Sequence, residues 1–381
     1  MGAAVTTASL AGCVGGGGED SMTATWGGAS SEQTDCFDCV HPQPVFEIPD
    51  RVNNDDADVE INYIGGGELC AEGDCGEQLL QGNYPLTQNS ITNATNWFNE
   101  LDVFTPAYTV PVDDSGSIHQ GGVADMLYDP DVLEEFWVPF ANQYGVLPFA
   151  MGTPELRVIW MSSEWDGTVR TPEDIEGAEI RRTPSTNEAE VIEAWGAESV
   201  DITWGENVQG MESGVVDGFV SWASVNFAAG AADVTSQAVV TNHMVGMRMS
   251  WVDVEWLKSL DDASLDSVAR HTKEVSEELV QMGPDVLENM GQVPNQDMEG
   301  SEYDNNDISV TFLDESDMDA WKSPVRADEN PGLYEDAIES AEELASPGVF
   351  DTILEAAQTP SPVENYEFES WWDDILDQIE I

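Results

Sequence analysis

Basic residues are what this sequence has least of. Eleven Lys and Arg stand against 75 Asp and Glu in 381 residues, a formal net charge of −64. Only Lys258, Lys273 and Lys322 are lysines. Such a surface repels polyanions, which excludes nucleic acid and anionic membranes as partners. Self-repulsion on this scale works against a compact state in dilute buffer. At 1 M salt the Debye length falls to about 3 Å and the repulsion largely vanishes. The composition is that expected of a protein living in concentrated brine. Disorder does not follow, because 41% of the residues are apolar and can build cores.

Long apolar runs are also missing: a spanning helix needs about 20 such residues, and the chain offers no such stretch. The opening MGAAVTTASLAGCVGGGGED holds a shorter run ending in Leu10-Ala11-Gly12-Cys13, the form of a bacterial-type lipobox. Glycines 15 to 18 and Glu19-Asp20 then form a flexible tether. Cys13 is the expected lipidated first residue of the mature protein, with residues 1–20 as signal remnant and tether. No basic n-region precedes the run, which leaves an upstream start or a fortuitous match as alternatives.

Cysteine is scarce too. Besides Cys13 there are only Cys36, Cys39, Cys70 and Cys75. The spacing C-x2-C then C-x4-C permits two disulfides, or a four-thiolate zinc site with His41 nearby. The second spacing is looser than a zinc knuckle, and an exported chain sits where disulfides persist. Structural disulfides are the expectation, and no metal. Catalytic signatures are absent: there is no G-x-S-x-G, H-E-x-x-H, P-loop or G-x-G-x-x-G in context. With 75 acids, chance carboxylate pairs carry no signal. Neither a cofactor nor an enzymatic activity is expected.

What is present alternates. Strands are expected at SMTATWGGASS, DVEINYIGGGELC, PLTQNSI, VLPFAM, PELRVIWMS, DIEGAEIRR, SVDIT, VVDGFVSW, the whole of 234–250, and ISVTFL. Only a short helix fits before Asn53. Further helices are expected at 132–144, 187–195, 205–213, 264–282 and 334–344, and 92–112 reads as a loop rich in Asn and aromatics. This is the order of an α/β protein.

Within 171–222 lies the pair Arg181-Arg182, two of the chain's eight arginines side by side. A strand sends them to opposite faces. One can face a cleft, while the other pairs with surface acids. Long-range attraction cannot bring an anion to this exterior, so recognition must rest on short directed bonds. The planar fork of arginine suits a carboxylate. Asn89 and Asn93, expected in the loop after the third strand, are candidates for polar ligand contacts. Glu68, after the glycine turn, can accept from a ligand hydroxyl or amine. Trp160 and Trp204 are expected to pack in the core, and His243 to be a buried structural histidine.

TPEDIEGAEIRR, WGENVQGMESGVVDG and TNHMVGM, in that order, resemble the substrate-binding proteins of TRAP transporters (tripartite ATP-independent periplasmic transporters), here in a brine-adapted, haloarchaeal-like form. That family shows P-E-D-L-x-G-x-K-I-R, W-x-E-x-x-x-A-L-x-x-G-x-V-D-G and a T-x-H strand. The likeness is strong over 154–250 and weaker from 21 to 343. It implies a two-lobed, periplasmic-binding-protein-like α/β fold with a hinge, an interlobe cleft and long carboxyl-terminal helices. One lobe would hold 21–153 with about 246–285, the other 154–245 with about 286–345, and 346–381 would form an acidic helical extension. It also implies a protein that closes on an organic acid and delivers it to TRAP membrane permease subunits, which with the lipobox reading of Cys13 makes an extracytoplasmic, lipid-anchored protein the expectation. Arg181 matches the arginine that pairs with the ligand carboxylate, and Arg157 a second arginine on the preceding strand. Where the family often carries Gln-Glu-Asn after V-D-G, this chain has Phe219, Val220, Ser221 and Trp222. Ser221 takes the Asn position with a shorter hydroxyl and Trp222 adds an apolar face. A module reporting to a sensor or receptor is the alternative, and an enzyme acting on a carboxylic acid a further one.

Overall fold

The strands divide between two sheets, and the chain passes from one sheet to the other three times. The computed structural model describes residues 22–30, 43–112 and 118–381. One sheet holds β1 (Met22–Gly28), β2 (Val59–Ile64), β3 (Leu86–Ser90), β4 (Val146–Met151) and β12 (Arg248–Asp253), in the order β2-β1-β3-β12-β4. The other holds β6 (Val158–Ser162), β7 (Glu179–Arg182), β8 (Glu198–Asp201), β9 (Gly218–Ser221), β10 (Thr235–Val240) and β13 (Ser309–Phe312), in the order β13-β10-β6-β9-β7-β8. In both, β4 and β6 are buried along their whole length, as strands covered on two faces must be. The helix Asp262–Met290 follows β12 and leads back to β13.

The other two crossings run side by side. Between β4 and β6 the chain forms β5 (Glu155–Leu156), and between β10 and β12 it forms β11 (Val245–Gly246). These two pair antiparallel as a ladder of their own, the double connection of a two-lobed α/β protein. Here the structure differs from expectation. PELRVIWMS is not one strand but β5 and β6, parted at Arg157, and 234–250 is three strands, with Asn242 at a φ of 48° in the turn. Apolar alternation continues through both breaks, so periodicity cannot reveal that the chain has changed sheets. Likewise 92–112 is not all loop: it contains the turn of helix Ile91–Ala94 and the 3-10 turn Asn99–Phe104. The helix before β2, Gln43–Asn53, runs to eleven residues.

The motifs that carried the family resemblance are local devices. In TPED, the Asp174 carboxylate accepts from the Thr171 N–H (2.8 Å) and closes the 3-10 turn Pro172–Ile175 ahead of β7. In VDG, Asp217 accepts from the Glu179 N–H (2.9 Å) and so locks the start of β9 to β7. Gly218 allows that closeness, since a Cβ there would stand 2.6 Å from the Trp160 carbonyl oxygen. Together they fix the frame in which Arg181 sits.

Cys70 and Cys75 form a disulfide. Cys13, Cys36 and Cys39 lie outside the described residues, as does His41. The carboxyl-terminal segment folds back onto the first sheet. Trp371 and Trp372 are buried, and each indole N–H donates to the Thr272 hydroxyl of the long helix at 3.1 Å. Among the described residues no helix is long and apolar enough to cross a membrane.

Candidate functional site

Arg157, Arg181 and Arg248 come together around one narrow cavity between the sheets, with Glu72, Ser90, Asn93, Thr183, Trp204, Ser221, Trp222 and Val225 completing its wall. Its walls stand close, with free space of the order of a single water molecule. Three of the chain's eight arginines thus meet at one point, each at most 5% exposed.

Arg181 is set by the sheet. It is the third residue of β7, paired with Val200 of β8 and Phe219 of β9. Its Nε donates to the Ile202 carbonyl (3.0 Å), which fixes the stem and leaves both terminal nitrogens to the cavity. The guanidinium lies 5.4 Å from the centre of the Trp204 ring, a cation–π distance. Burial lowers its pKa to about 10, with the nearby Glu188 opposing and Arg157 adding to the fall. It stays charged at neutral pH. Arg182 turns the other way, toward Asp201 at 3.6 Å.

Arg157 lies between β5 and β6, and its N–H donates to the Met244 carbonyl (2.8 Å) beside the crossing ladder. Its Nη1 stands 3.2 Å from the Glu188 carboxylate, and both side chains are sealed from solvent. Nη2 donates to the Thr92 hydroxyl (2.5 Å), a bond that joins the two halves of the cavity. The Trp222 ring lies 5.1 Å from this guanidinium. Gly246 makes room for that stack: a Cβ there would meet the Trp222 ring at 2.9 Å.

Arg248 opens β12, directly after the second crossing. Its Nη1 meets Glu72 Oε2 at 2.6 Å. The other Glu72 oxygen accepts from the Ser90 N–H (2.8 Å) and the Asn93 amide (3.3 Å). Glu72 lies in the six-residue segment that the Cys70–Cys75 disulfide closes into a loop.

These pairings single out one group. Arg51, Arg157, Arg170, Arg182, Arg248, Arg270 and Arg326 each have a carboxylate within 3.6 Å. Among the described residues Arg181 is the one arginine with none within ion-pair distance. A buried, unpaired cation is costly. It persists in stable proteins chiefly where an anion is to be received.

Of the residues expected at the site, Arg181, Arg157, Ser221, Trp222 and Asn93 line the cavity. Asn89 does not: it is fully buried in β3, where its Oδ1 accepts from the Trp251 indole at 2.8 Å. Glu68 is exposed in the glycine turn and does not reach the cavity, whose acid is Glu72, four residues on. Trp160 packs in the core, stacked between Phe219 and Tyr303, and its indole N–H donates to the Ser221 carbonyl (3.1 Å). Trp204 is partly buried, packs edge-on against Phe219 of the core and also lines the cavity. His243 is buried against the Trp195 ring, bonded to the Thr241 hydroxyl (2.7 Å), with a pKa lowered to about 3 by burial and secondarily by the Arg157 charge. Arg248, Glu72, Ser90 and Thr183 escaped the sequence reading. The clue to Arg248 was its rarity in a strand of so acidic a chain, and that to Glu72 was its place between two spaced cysteines.

A larger groove of about 450 Å³ lies elsewhere, lined by Tyr108, Val240, Phe312, Met318 and Lys322 among others. Its charged lining sets Asp314, Glu315 and Asp319 against Lys322, which lies over the Tyr108 ring, and Arg326, which is already paired with Asp328 and Glu329, so it suits an anion poorly.

Two α/β halves joined by paired crossings, with a sealed arginine between them, define a ligand-capturing binding protein. Residues 50–283 match the family described as bacterial extracellular solute-binding protein, family 7, and the chain belongs to that family. It is 23% identical over 238 residues to the ectoine-binding periplasmic protein TeaA of Halomonas elongata, covering 59% of this chain and 66% of that relative. In fold it is similar to a TRAP periplasmic solute-binding protein of Desulfovibrio salexigens with bound orotic acid (TM-score 0.71, 14% identity, 88% of this chain and 99% of the other). It is also similar to one from Anaerococcus prevotii with bound D-glucuronate (TM-score 0.69, 15% identity, 88% and 98%). The family is one of extracellular binding proteins, so this chain works outside the cytoplasm.

Proposed function

We propose that this protein captures an organic acid in the cavity between its lobes and delivers it to the membrane subunits of a TRAP-type secondary transporter. The observation that carries the reading is Arg181: charged, buried, held by its Nε alone, and without a carboxylate partner among the described residues. A ligand carboxylate meets its two terminal nitrogens in parallel, and exclusion of water strengthens the bonds. Arg157 fixes the opposite wall through Thr92, while Ser221, Trp222 and Asn93 complete the contacts. Orotic acid and glucuronate, bound by proteins of similar fold, are both carboxylic acids.

The cavity is too tight for a ligand to pass its walls, so the lobes must part for loading. The ligand biases closure by the extra affinity it has for the closed form. In this proposal the lobes are 21–153 with about 246–285, and 154–245 with about 286–345. Residues 346–381 brace the first of them. Cys13 carries a lipid that tethers the protein to the outer face of the membrane. The acidic exterior keeps it soluble in brine, and the protein acts by binding without turning its ligand over.

A thermal-shift screen of organic acids in molar salt should give hits, and calorimetry on Arg181→Ala should then show a loss of about 2–3 kcal/mol, since a charge-assisted pair in a dry cleft is removed. Undiminished affinity in that variant would sink the reading.

A further inference from the structure

We infer that the cavity admits only one carboxylate, and that Glu72 is the residue that refuses a second. The inference rests on the reading of Arg181 as the carboxylate receptor and deepens it.

Charge bookkeeping around the cavity leads there. Three guanidinium groups line it, yet two are already neutralised by acids built into the protein. Glu188, with a fully buried side chain, stands 3.2 Å from Arg157. Its other oxygen accepts from the Thr183 N–H and hydroxyl (2.5 Å each), so its position is fixed from two sides. Glu72 meets Arg248 at 2.6 Å, and its remaining oxygen takes the Ser90 N–H and the Asn93 amide. The cavity therefore carries one positive charge in excess, that of Arg181. A ligand with one carboxylate makes it neutral. A ligand with two would bury an uncompensated anion beside Glu72, in a space without bulk water.

Glu72 is the decisive acid because of how it is presented. Glu188 belongs to the helix Thr186–Ala194 and serves the backbone of that helix's approach as well as Arg157. Glu72 bonds no backbone of its own loop, and its contacts to the Ser90 N–H and the Asn93 amide reach across to the end of β3. It stands on the loop closed by Cys70–Cys75, reaches across to the start of β12, and puts a carboxylate on the one arginine that could have gripped a ligand's second acid group. The loop supplies the protein's own anion at the place where a dicarboxylate would put its far end.

The test uses six acids in three matched pairs, each differing in a terminal methyl against a carboxylate: butanoate and succinate, 2-hydroxybutanoate and malate, 2-oxobutanoate and oxaloacetate. Calorimetry in molar salt on the unaltered protein should find the monoacid tighter in each pair that binds. Glu72→Gln, which keeps the side-chain shape but frees the Arg248 charge, should shift the ratio toward the diacid by at least about tenfold, as expected for a unit charge at this range. The double variant Glu72→Gln/Arg248→Gln restores one excess charge and should restore the monoacid preference. Diacids binding the unaltered protein more tightly than their monoacid partners would overturn the inference, whether or not the variants fold. If that preference is still lost in Arg181→Ala, the receptor reading survives its failure. Binding that ignores Arg181, or silence from all six acids, counts against both.

Discussion

Arg51, Arg170, Arg270 and Arg326 lie on the outside of the protein, each within 2.6 Å of a carboxylate that is itself partly open to solvent. Arg157, Arg181 and Arg248 lie inside, around a cavity with almost no free space. The residue type is the same, but the medium differs. Outside, water and salt screen each charge, and a pair changes stability little. Inside, each charge must be matched by geometry, because removing one partner leaves the other stranded in a poor solvent. A chain with a net charge of −64 has acids to spare, yet it leaves one interior cation without an acid. Evenly spread attraction would have paired it. Its isolation requires that the frame of β7, β8 and β9 hold it away from every carboxylate nearby.

The contrast can be broken by experiment, and the largest effect is expected inside. Glu188→Gln leaves Arg157 charged and buried, and should lower unfolding stability by about 3–5 kcal/mol in denaturant titration. A loss below 1 kcal/mol would place this pair with the surface ones.

Next comes a buried acid without a cation. Glu155, at the crossing ladder, is fully buried, and burial raises its pKa to about 7, against the hydrogen bonds it accepts from Ser224 and Ala223. The folded state then holds a proton that the unfolded chain, with a carboxyl near 4.5, releases. Stability from this group is complete below pH 4.5, falls as pH rises toward 7, and is level above. The decline amounts to about 3 kcal/mol at most. Melting curves between pH 5 and 8 should show a slope that Glu155→Gln flattens. An unchanged slope would assign the pH dependence to other carboxylates.

The smallest effect belongs to the surface. Arg51→Gln, which removes the pair with Glu278, should cost less than about 1 kcal/mol and nothing measurable in molar salt. A salt-insensitive loss would show that the exterior pairs are not screened as argued.

The sequence made the α/β alternation and the approach to β7 legible, because the capping residue Asp174 acts over three residues, whereas the Asp217 bond that ties β9 to β7 spans 38. Arg181 and Arg157 were legible because the local pattern around them fixes their neighbours. Glu72 and Arg248 were not, since they are 176 residues apart and meet only through the second crossing. Trp204 packs against the core as expected, but its second role beside Arg181 was not legible, since a tryptophan that only packs and one that also faces a cavity arginine look alike in a string of letters. Asn89 and Glu68 erred by small amounts, an alternation of β3 and four residues of turn.

The ladder of β5 and β11 has a further consequence. When two bodies swing about a pivot, each atom travels in proportion to its distance from the axis. Arg157 adjoins one strand of that ladder and Arg248 lies two residues beyond the other, so if the lobes swing about it, as the proposed loading requires, these two cavity arginines travel less than the far lips. In the proposed cycle the rim would therefore part before the wall where Arg157 and Arg248 stand.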